Sequence, residues 1–300
     1  MTWNATLCTD LMKKDFIKVI IAYLAAGSAA VISGKLVGDW HPVLIVAVAD
    51  LAGTLVVFAF SVYHDNSSYY DPYWSLAPIL IATYWLISST PLLDNRPRQA
   101  AVMALVLVWA FRLTLNWAVR WRGGEHEDWR YAKFRDRPRW LYWLISFFGF
   151  HLMPTVMVFL GCLPLIASLS EPATAFGLLD LIALLVTAGA IWIEARADLE
   201  ITRFSRSSPD SSTLMKSGIW SLSRHPNYFG EITFWWGLYA FALAANPQYW
   251  WTIIGPIAIT FLFLTISIPM IEKHMQTRRP EYKNYQKSTS MLIPWRNLRR

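Results

Sequence analysis

A polytopic bundle of α-helices in a membrane is the fold this sequence predicts, and three observations carry that expectation. Apolar runs close to the ~20 residues needed to cross a bilayer recur along the 300-residue chain. Charged residues make up 16% of it, against roughly 25% in an average soluble domain. Hydrophobic residues make up 55%, and the mean hydropathy is +0.33.

Taken in order, the chain opens on a polar segment ending in Lys13 and Lys14, followed by an apolar run that only Lys18 interrupts. This has the look of a signal peptide, with Ala25 to Ala29 mimicking a cleavage site. Because hydrophobic segments follow directly, an uncleaved first span is expected. The spans are then roughly 16–37, 43–63, 74–93, 99–120, 142–169, 175–195, 228–245 and 249–271. The fifth is long enough to tilt, kink or include an interfacial part. In terms of domains, residues 1–64 read as N-terminal transmembrane helices and 65–300 as the functional membrane domain.

The net charge of +7 is read by position, as topology, and not as nucleic-acid binding. Seven Lys/Arg lie between Arg120 and Arg139, five between Arg196 and Arg224, and eight between Lys273 and Arg300. With eight spans these segments share one side with the N-terminus, so both termini are expected in the cytoplasm. Arg96 and Arg98 fall on the opposite side, with Lys35 near it, in conflict with that orientation. The triplets at Asn4 and Asn66 would then carry no glycan. Two cysteines, Cys8 and Cys162, are too few for a disulfide framework or a thiolate metal cage. The dinucleotide, P-loop, hydrolase-elbow and zinc-protease fingerprints are absent.

The stretch from Ser217 to Trp236, SGIWSLSRHPNYFGEITFWW, draws the most attention. Pro226 suits the first turn of a helix, with Ser223 or His225 as its cap. The helix start, with Arg224 and His225 beside it, suits an anion such as a phosphate. Asn227 and Glu231 lie four apart on one face. The plain alternative is a membrane-entry turn whose charges solvate the helix end. An ionisable group inside a span costs ~2.5–3.5 kcal/mol on insertion scales, and Asp50, Arg112, His151, Asp180 and Glu231 all fall inside predicted spans. Arg112 shares a stripe with Asn116 and Arg120, and an ion pair with Asp50 or Asp180 is its expected partner. His151 reads as a satisfied packing residue.

The loop His64 to Trp74 is aromatic and acidic; it reads either as a cover over a substrate or as an interfacial aromatic belt. The acids Glu125, Glu127 and Asp128 are crowded beside a single His126, which suggests an ordered turn and no metal site. Asp198, with Arg203 and Arg206 after it, is either a charge-balanced helix end or a ribose- and phosphate-binding pair. The basic tail from Glu272 reads as a helix lying on anionic lipid.

The run GIWSLSRHPNYFGE and the later PEYKNYQKSTSMLIPW resemble the C-terminal signature of the steroid 5-alpha-reductase family, nearest its bacterial-type, largely uncharacterised branch. The likeness is strong from Asp198 to Trp295, weaker from Asp71 to Tyr131, and includes Asp71 and Trp74 as a DxxW element. The resemblance implies an integral membrane oxidoreductase that uses NADPH to reduce the C=C bond of an enone in a steroid-like or other lipid entering from the bilayer. It implies cofactor contacts at Asp198, Arg203 or Arg206, Arg224, His225, Asn227, Tyr228, Glu231 and, in the tail, Glu272, His274 or Tyr285. The acid and tyrosine that polarise the substrate carbonyl are expected as Asp71 with Tyr73, or Asp50 with Tyr84. The host membrane is then a bacterial cytoplasmic membrane or the endoplasmic reticulum. Related membrane methyltransferases carry a similar RHPxYxG turn, so S-adenosylmethionine-dependent methylation of a lipid or prenylcysteine is the alternative. A transporter or structural role is a third reading, which the lack of inverted halves disfavours.

Overall fold

The computed structural model describes residues 5–88, 96–171, 173–207 and 213–295, with side chains from Lys14 onward. Asn4, the side chain of Cys8, the end of the third predicted span and the last five residues lie outside the described set.

Every regular element among the described residues is helical. The chain runs α1 (Ala5–Leu36), α2 (Pro42–Tyr63), a 3-10 turn (Ser67–Tyr70), α3 (Tyr73–Ile87), α4 (Arg96–Arg120) and α5 (Trp129–Ala132). Next come α6 (Arg139–Ile145), a π-helical turn (Ser146–Leu152), α7 (Met153–Cys162), α8 (Leu165–Leu169), α9 (Leu178–Ser207) and α10 (Pro226–Ala245). The C-terminal part is a 3-10 segment (Pro247–Ile253), α11 (Ile254–Leu262), a π turn (Phe263–Ser267), α12 (Ile268–Arg278) and α13 (Tyr282–Ser288).

Among the described residues, six stretches are long and apolar enough to cross a membrane: Lys14–Leu36, Pro42–Tyr63, Arg96–Arg120, Arg139–Cys162, Leu178–Ser207 and Pro247–Arg278. They match the first, second, fourth, fifth, sixth and eighth expected spans. The other two differ for separate reasons. Helix α3 has 15 residues, about 22 Å at 1.5 Å per residue, short of a hydrocarbon core of ~30 Å. Helix α10 has the length, at 20 residues, but Asn227, Glu231 and its Trp and Tyr residues dilute its apolarity. Most of its surface is buried in protein, which lets a helix carry polar groups that lipid would not accept.

The fifth span, long enough to tilt, kink or include an interfacial part, holds a π turn at Ser146–Leu152, and the eighth span holds a second at Phe263–Ser267. A proline follows each, Pro154 and Pro269. Proline lacks the N–H of the normal ladder and crowds the preceding turn, and a wider turn relieves both problems.

The chain divides into two compact units, residues 1–81 with 113–159, and residues 82–112 with 160–300. In the first, α1 and α2 pack along each other. Phe16 sits edge-on to Trp117 and Trp121, and Asp15 accepts the Gly124 N–H at 2.7 Å. The aromatic loop folds inward: Asn66 through Tyr70 are all buried. Asn66 caps the Ser68 N–H and donates to Gly124 O at 2.7 Å, so its amide is committed to the fold.

In the second unit α9 and α10 make the principal pairing, with Trp109 stacked on Phe234 at 4.5 Å. Arg98 is wholly buried and forks onto Asp180, Nε to Oδ1 at 2.6 Å and Nη2 to Oδ2 at 2.7 Å. It also donates to Thr174 O at 2.8 Å. An arginine with that many partners is a buried ion pair satisfied by hydrogen bonds.

Candidate functional site

The second unit carries all the expected cofactor-contacting residues. Pro226 stands at the first position of α10 and His225 is its cap residue by backbone, without a side-chain cap bond. Ser223 instead accepts the His225 N–H at 3.1 Å and donates to Leu292 O at 2.7 Å. The turn is thus tied to the C-terminal segment, and Arg224 N–H to Ser290 O at 2.8 Å adds to the tie.

Arg224, beside the helix start, is engaged by the C-terminal segment. Its Nε pairs with Glu272 at 2.7 Å, and its Nη1 donates to Gln286 O at 2.9 Å and Thr289 O at 2.7 Å. His225 lies 3.1 Å from the same Glu272 oxygen and stacks on Tyr228. Tyr285 donates to the carbonyls of Trp220 and Ser223. Burial, the largest influence on it, holds the Tyr285 hydroxyl well above its ordinary pKa, so it stays a donor. Of the tail candidates, Glu272 and Tyr285 therefore brace the turn. Arg203 and Arg206 are exposed at the end of α9.

One turn into α10, Glu231 is 4% exposed. Its Oε1 accepts the Trp235 indole N–H at 2.9 Å and its Oε2 that of Trp109 at 3.0 Å. Arg112 pairs with Glu194 at 2.6 Å and Asp198 at 2.6 Å, which corrects its expected partners, Asp50 and Asp180. Glu194 and Asp198 are four apart on α9, so one guanidinium serves both. Glu194 feels the charge of Glu231, and its Oε2 is buried without a hydrogen-bond partner. Gly230 makes this approach feasible: a Cβ there would stand 2.7 Å from Glu194 Cγ and 2.8 Å from Ala190 O. Asn227, half-buried, completes the face. Glu194, Trp109 and Trp235 were not singled out from sequence, though Glu194 stands four before Asp198 and Trp235 four after Glu231.

In the first unit the two acids take other tyrosines than expected. Tyr73 donates to Asp50 Oδ1 at 2.7 Å, so neither Asp71 with Tyr73 nor Asp50 with Tyr84 is the hydrogen-bonded pair. Gly53 leaves room for it, since a Cβ there would meet the Tyr73 hydroxyl at 2.9 Å. Asp50 Oδ2 is buried without a partner. Asp71 accepts the Tyr131 hydroxyl at 2.6 Å and lies 3.4 Å from Arg130. Burial pushes its pKa up to about 6, against the pull of Arg130 and Tyr131. Glu127 pairs with Arg135 at 2.7 Å, and Asp128 both caps α5 and pairs with Arg130 at 2.8 Å. Those acids are spent on ordering the turn. His151 is satisfied as expected, between Ser61 and Ser146.

Fold and site together define a helical protein of multi-pass membrane type, with a carboxylate-rich cluster built between helices α4, α9 and α10. The chain belongs to the family described as protein of unknown function DUF1295, whose profile matches residues 57–289. It is also 28% identical over 264 residues to an uncharacterized protein of Schizosaccharomyces pombe, covering 80% of this chain and 76% of that one. No solved structure matches it.

Proposed function

We propose that this protein is an integral membrane oxidoreductase, with eight spans and cytoplasmic termini, that uses NADPH to reduce the activated C=C bond of a steroid-like or other lipid. The observation that carries the reading is Glu231, a buried carboxylate held by two indole N–H groups one turn inside the proline-started helix, beside Asn227. The similarity of this turn and of the tail to the steroid 5-alpha-reductase signature supports it.

The residues present fit such a cofactor in a specific way. Carboxylates accept hydrogen bonds, so Glu231 with Asn227 suits a carboxamide and Asp198, steadied by Arg112, suits ribose hydroxyls. The buried, unpartnered Oε2 of Glu194 is a further acceptor in the same cluster. With Arg224 engaged by Glu272, the phosphates fall to the exposed Arg203 and Arg206. When bound, NADPH supplies hydride to the far carbon of the enone.

One observation favours the alternative. Glu194 and Asp198 share the guanidinium of Arg112, with Glu231 a third carboxyl in the cluster, and a site so rich in carboxyls suits a cation. The sulfonium of S-adenosylmethionine is one, as a lipid methyltransferase would require.

A thermal-shift comparison of the two cofactors on the purified protein in detergent separates the readings. NADPH is expected to raise Tm, and Asn227→Ala to weaken its binding about tenfold, near 1.4 kcal/mol; Glu231→Ala acts likewise if it folds. A response to S-adenosylmethionine alone would select the methyltransferase, and no response to either would refute an enzymatic role for this cluster.

A further inference from the structure

The segment that follows α13 has two edges of different chemistry. Its inner edge is bonded to the protein. Ser290 O accepts the Arg224 N–H at 2.8 Å, and the Trp295 N–H donates to Leu222 O at 3.2 Å. Between them, Leu292 O accepts the Ser223 hydroxyl at 2.7 Å. The backbone from Ser290 to Trp295 is therefore pinned along the turn that precedes α10. The outer edge is apolar and exposed. Met291, Ile293 and Trp295 are 39%, 61% and 68% exposed, with Leu292 and Pro294 half-buried between them. A single exposed hydrophobic residue needs no explanation, whereas a continuous apolar edge marks a contact surface. Here the hydrogen bonds of the intervening backbone hold that edge outward.

The depth of the edge follows from its partners. Arg224 pairs with Glu272 at 2.7 Å, and Glu272 is the first charged residue after the apolar run of the Pro247–Arg278 span. Pro226, two residues after Arg224, opens the apolar helix α10. The bonds from the tail to Leu222, Ser223 and Arg224 thus lie level with the point where apolar sequence gives way to charge. In a chain that spans a bilayer this is the headgroup level, where tryptophan is favoured.

Charge identifies the lipid. Helix α13 turns Tyr282 and Tyr285 inward, against Leu214 and Met275. Lys283 and Lys287, four apart and so on one side of the helix, are exposed. The neighbouring Glu281 is matched by Lys216 at 3.0 Å, which leaves the two lysines to set the sign of this surface. The sequence alone points to a helix lying on lipid. In the structure that helix keeps its aromatic side for the protein, and the apolar contact falls to the segment behind it.

We propose that Met291, Ile293 and Trp295, together with Lys283 and Lys287, form a docking edge for the surface of an anionic bilayer. The apolar side chains enter the boundary between headgroups and acyl chains by about 5–10 Å. The lysine stems lie along that boundary and carry their ammonium groups to lipid phosphates. Lipid is favoured over a second copy of the chain for two reasons. The edge stands level with the boundary of the bilayer that the chain itself spans, and the lysines of two facing copies would repel each other. This inference rests on the membrane placement of the chain and not on the reductase reading.

The test is depth, measured by electron paramagnetic resonance. Single nitroxide labels are placed through Ile293→Cys, Met291→Cys and, as a solvent reference, Glu125→Cys in the polar loop before α5. A Cys8→Ser background is used, Cys162 being buried. In nanodiscs of equimolar phosphatidylcholine and phosphatidylglycerol, the labels at 293 and 291 should collide more with oxygen than with a water-soluble nickel chelate, and the label at 125 the reverse. Having two apolar positions covers a folding failure of either. Lys283→Gln combined with Lys287→Gln should lower the inserted fraction at 293, by about fivefold per lysine, and pure phosphatidylcholine should lower it likewise. Nickel access at 293 and 291 equal to that at 125 overturns the proposal, as does insertion indifferent both to the lysines and to phosphatidylglycerol. Dipolar broadening between labels at 293 would overturn it in favour of contact between copies. None of these outcomes depends on whether the protein binds NADPH.

Discussion

Replacing Arg112 with methionine tests the charged cluster most directly. The side chain is 14% exposed and its partners Glu194 and Asp198 are 4% and 15% exposed. Methionine keeps much of the packing but strips Glu194 of its counter-charge. The Oε2 of that residue already has no hydrogen-bond partner, so it has little means of compensation. Breaking one side of a buried pair costs about 3–5 kcal/mol; Asp198, the more hydrated partner, adds less. For a chain of this size each kcal/mol corresponds to about 2 °C in Tm, so a fall of about 6–10 °C is expected from thermal unfolding in detergent. Adding Glu194→Gln removes the stranded charge and should recover more than half of that loss. If the double variant is no more stable than Arg112→Met, or if Asp50→Asn or Asp180→Asn rescues it instead, the cluster is wrongly assembled.

Two further outcomes follow from separate features. Gly230→Ala should destabilise by about 1–3 kcal/mol, because its Cβ would stand 2.8 Å from the Ala190 carbonyl oxygen. Gly27→Ala, with nothing within 4 Å of the added carbon, should be neutral or stabilise by up to ~1 kcal/mol; equal Tm shifts in the two would refute the close-approach argument. Asp71 contributes a pH dependence of defined sign. Its folded pKa of about 6 lies above the ordinary 3.8, so its stabilising contribution is full below pH 3.8 and is lost as pH rises through 6. The difference is about 3 kcal/mol. In denaturant titrations between pH 4 and 7, Asp71→Asn should lack that decline, and matching slopes would exclude it.

Apolar run lengths were enough to place six of the spans, and Pro226 marked the start of α10. Partner choice was less legible, and the reason is geometric. Arg112 had several acids at comparable depth, and only the placement of α4 beside α9 decides that it meets Glu194 while Arg98 meets Asp180. Tyr73 was assigned to Asp71, its near neighbour in sequence, but the glycine at 53 opens a path to Asp50 on another helix. Arg224 was given no protein partner, because Glu272 comes from a tail whose return onto the turn leaves no periodic signal.

The Arg98–Asp180 pair changes how the positive charges of this chain are counted. Arginines decide which end of a helix is retained at the site of insertion because an unbalanced cation is costly to translocate. Arg98 has a carboxylate locked onto it and carbonyl oxygens around the rest of its guanidinium, so the folded pair is close to neutral. On the proposed eight-span orientation, what looked like a misplaced topological signal is a neutral dipole carried across with its own counter-ion. Removing Asp180 would restore the conflict and set one end of α4 against the rest of the chain during assembly.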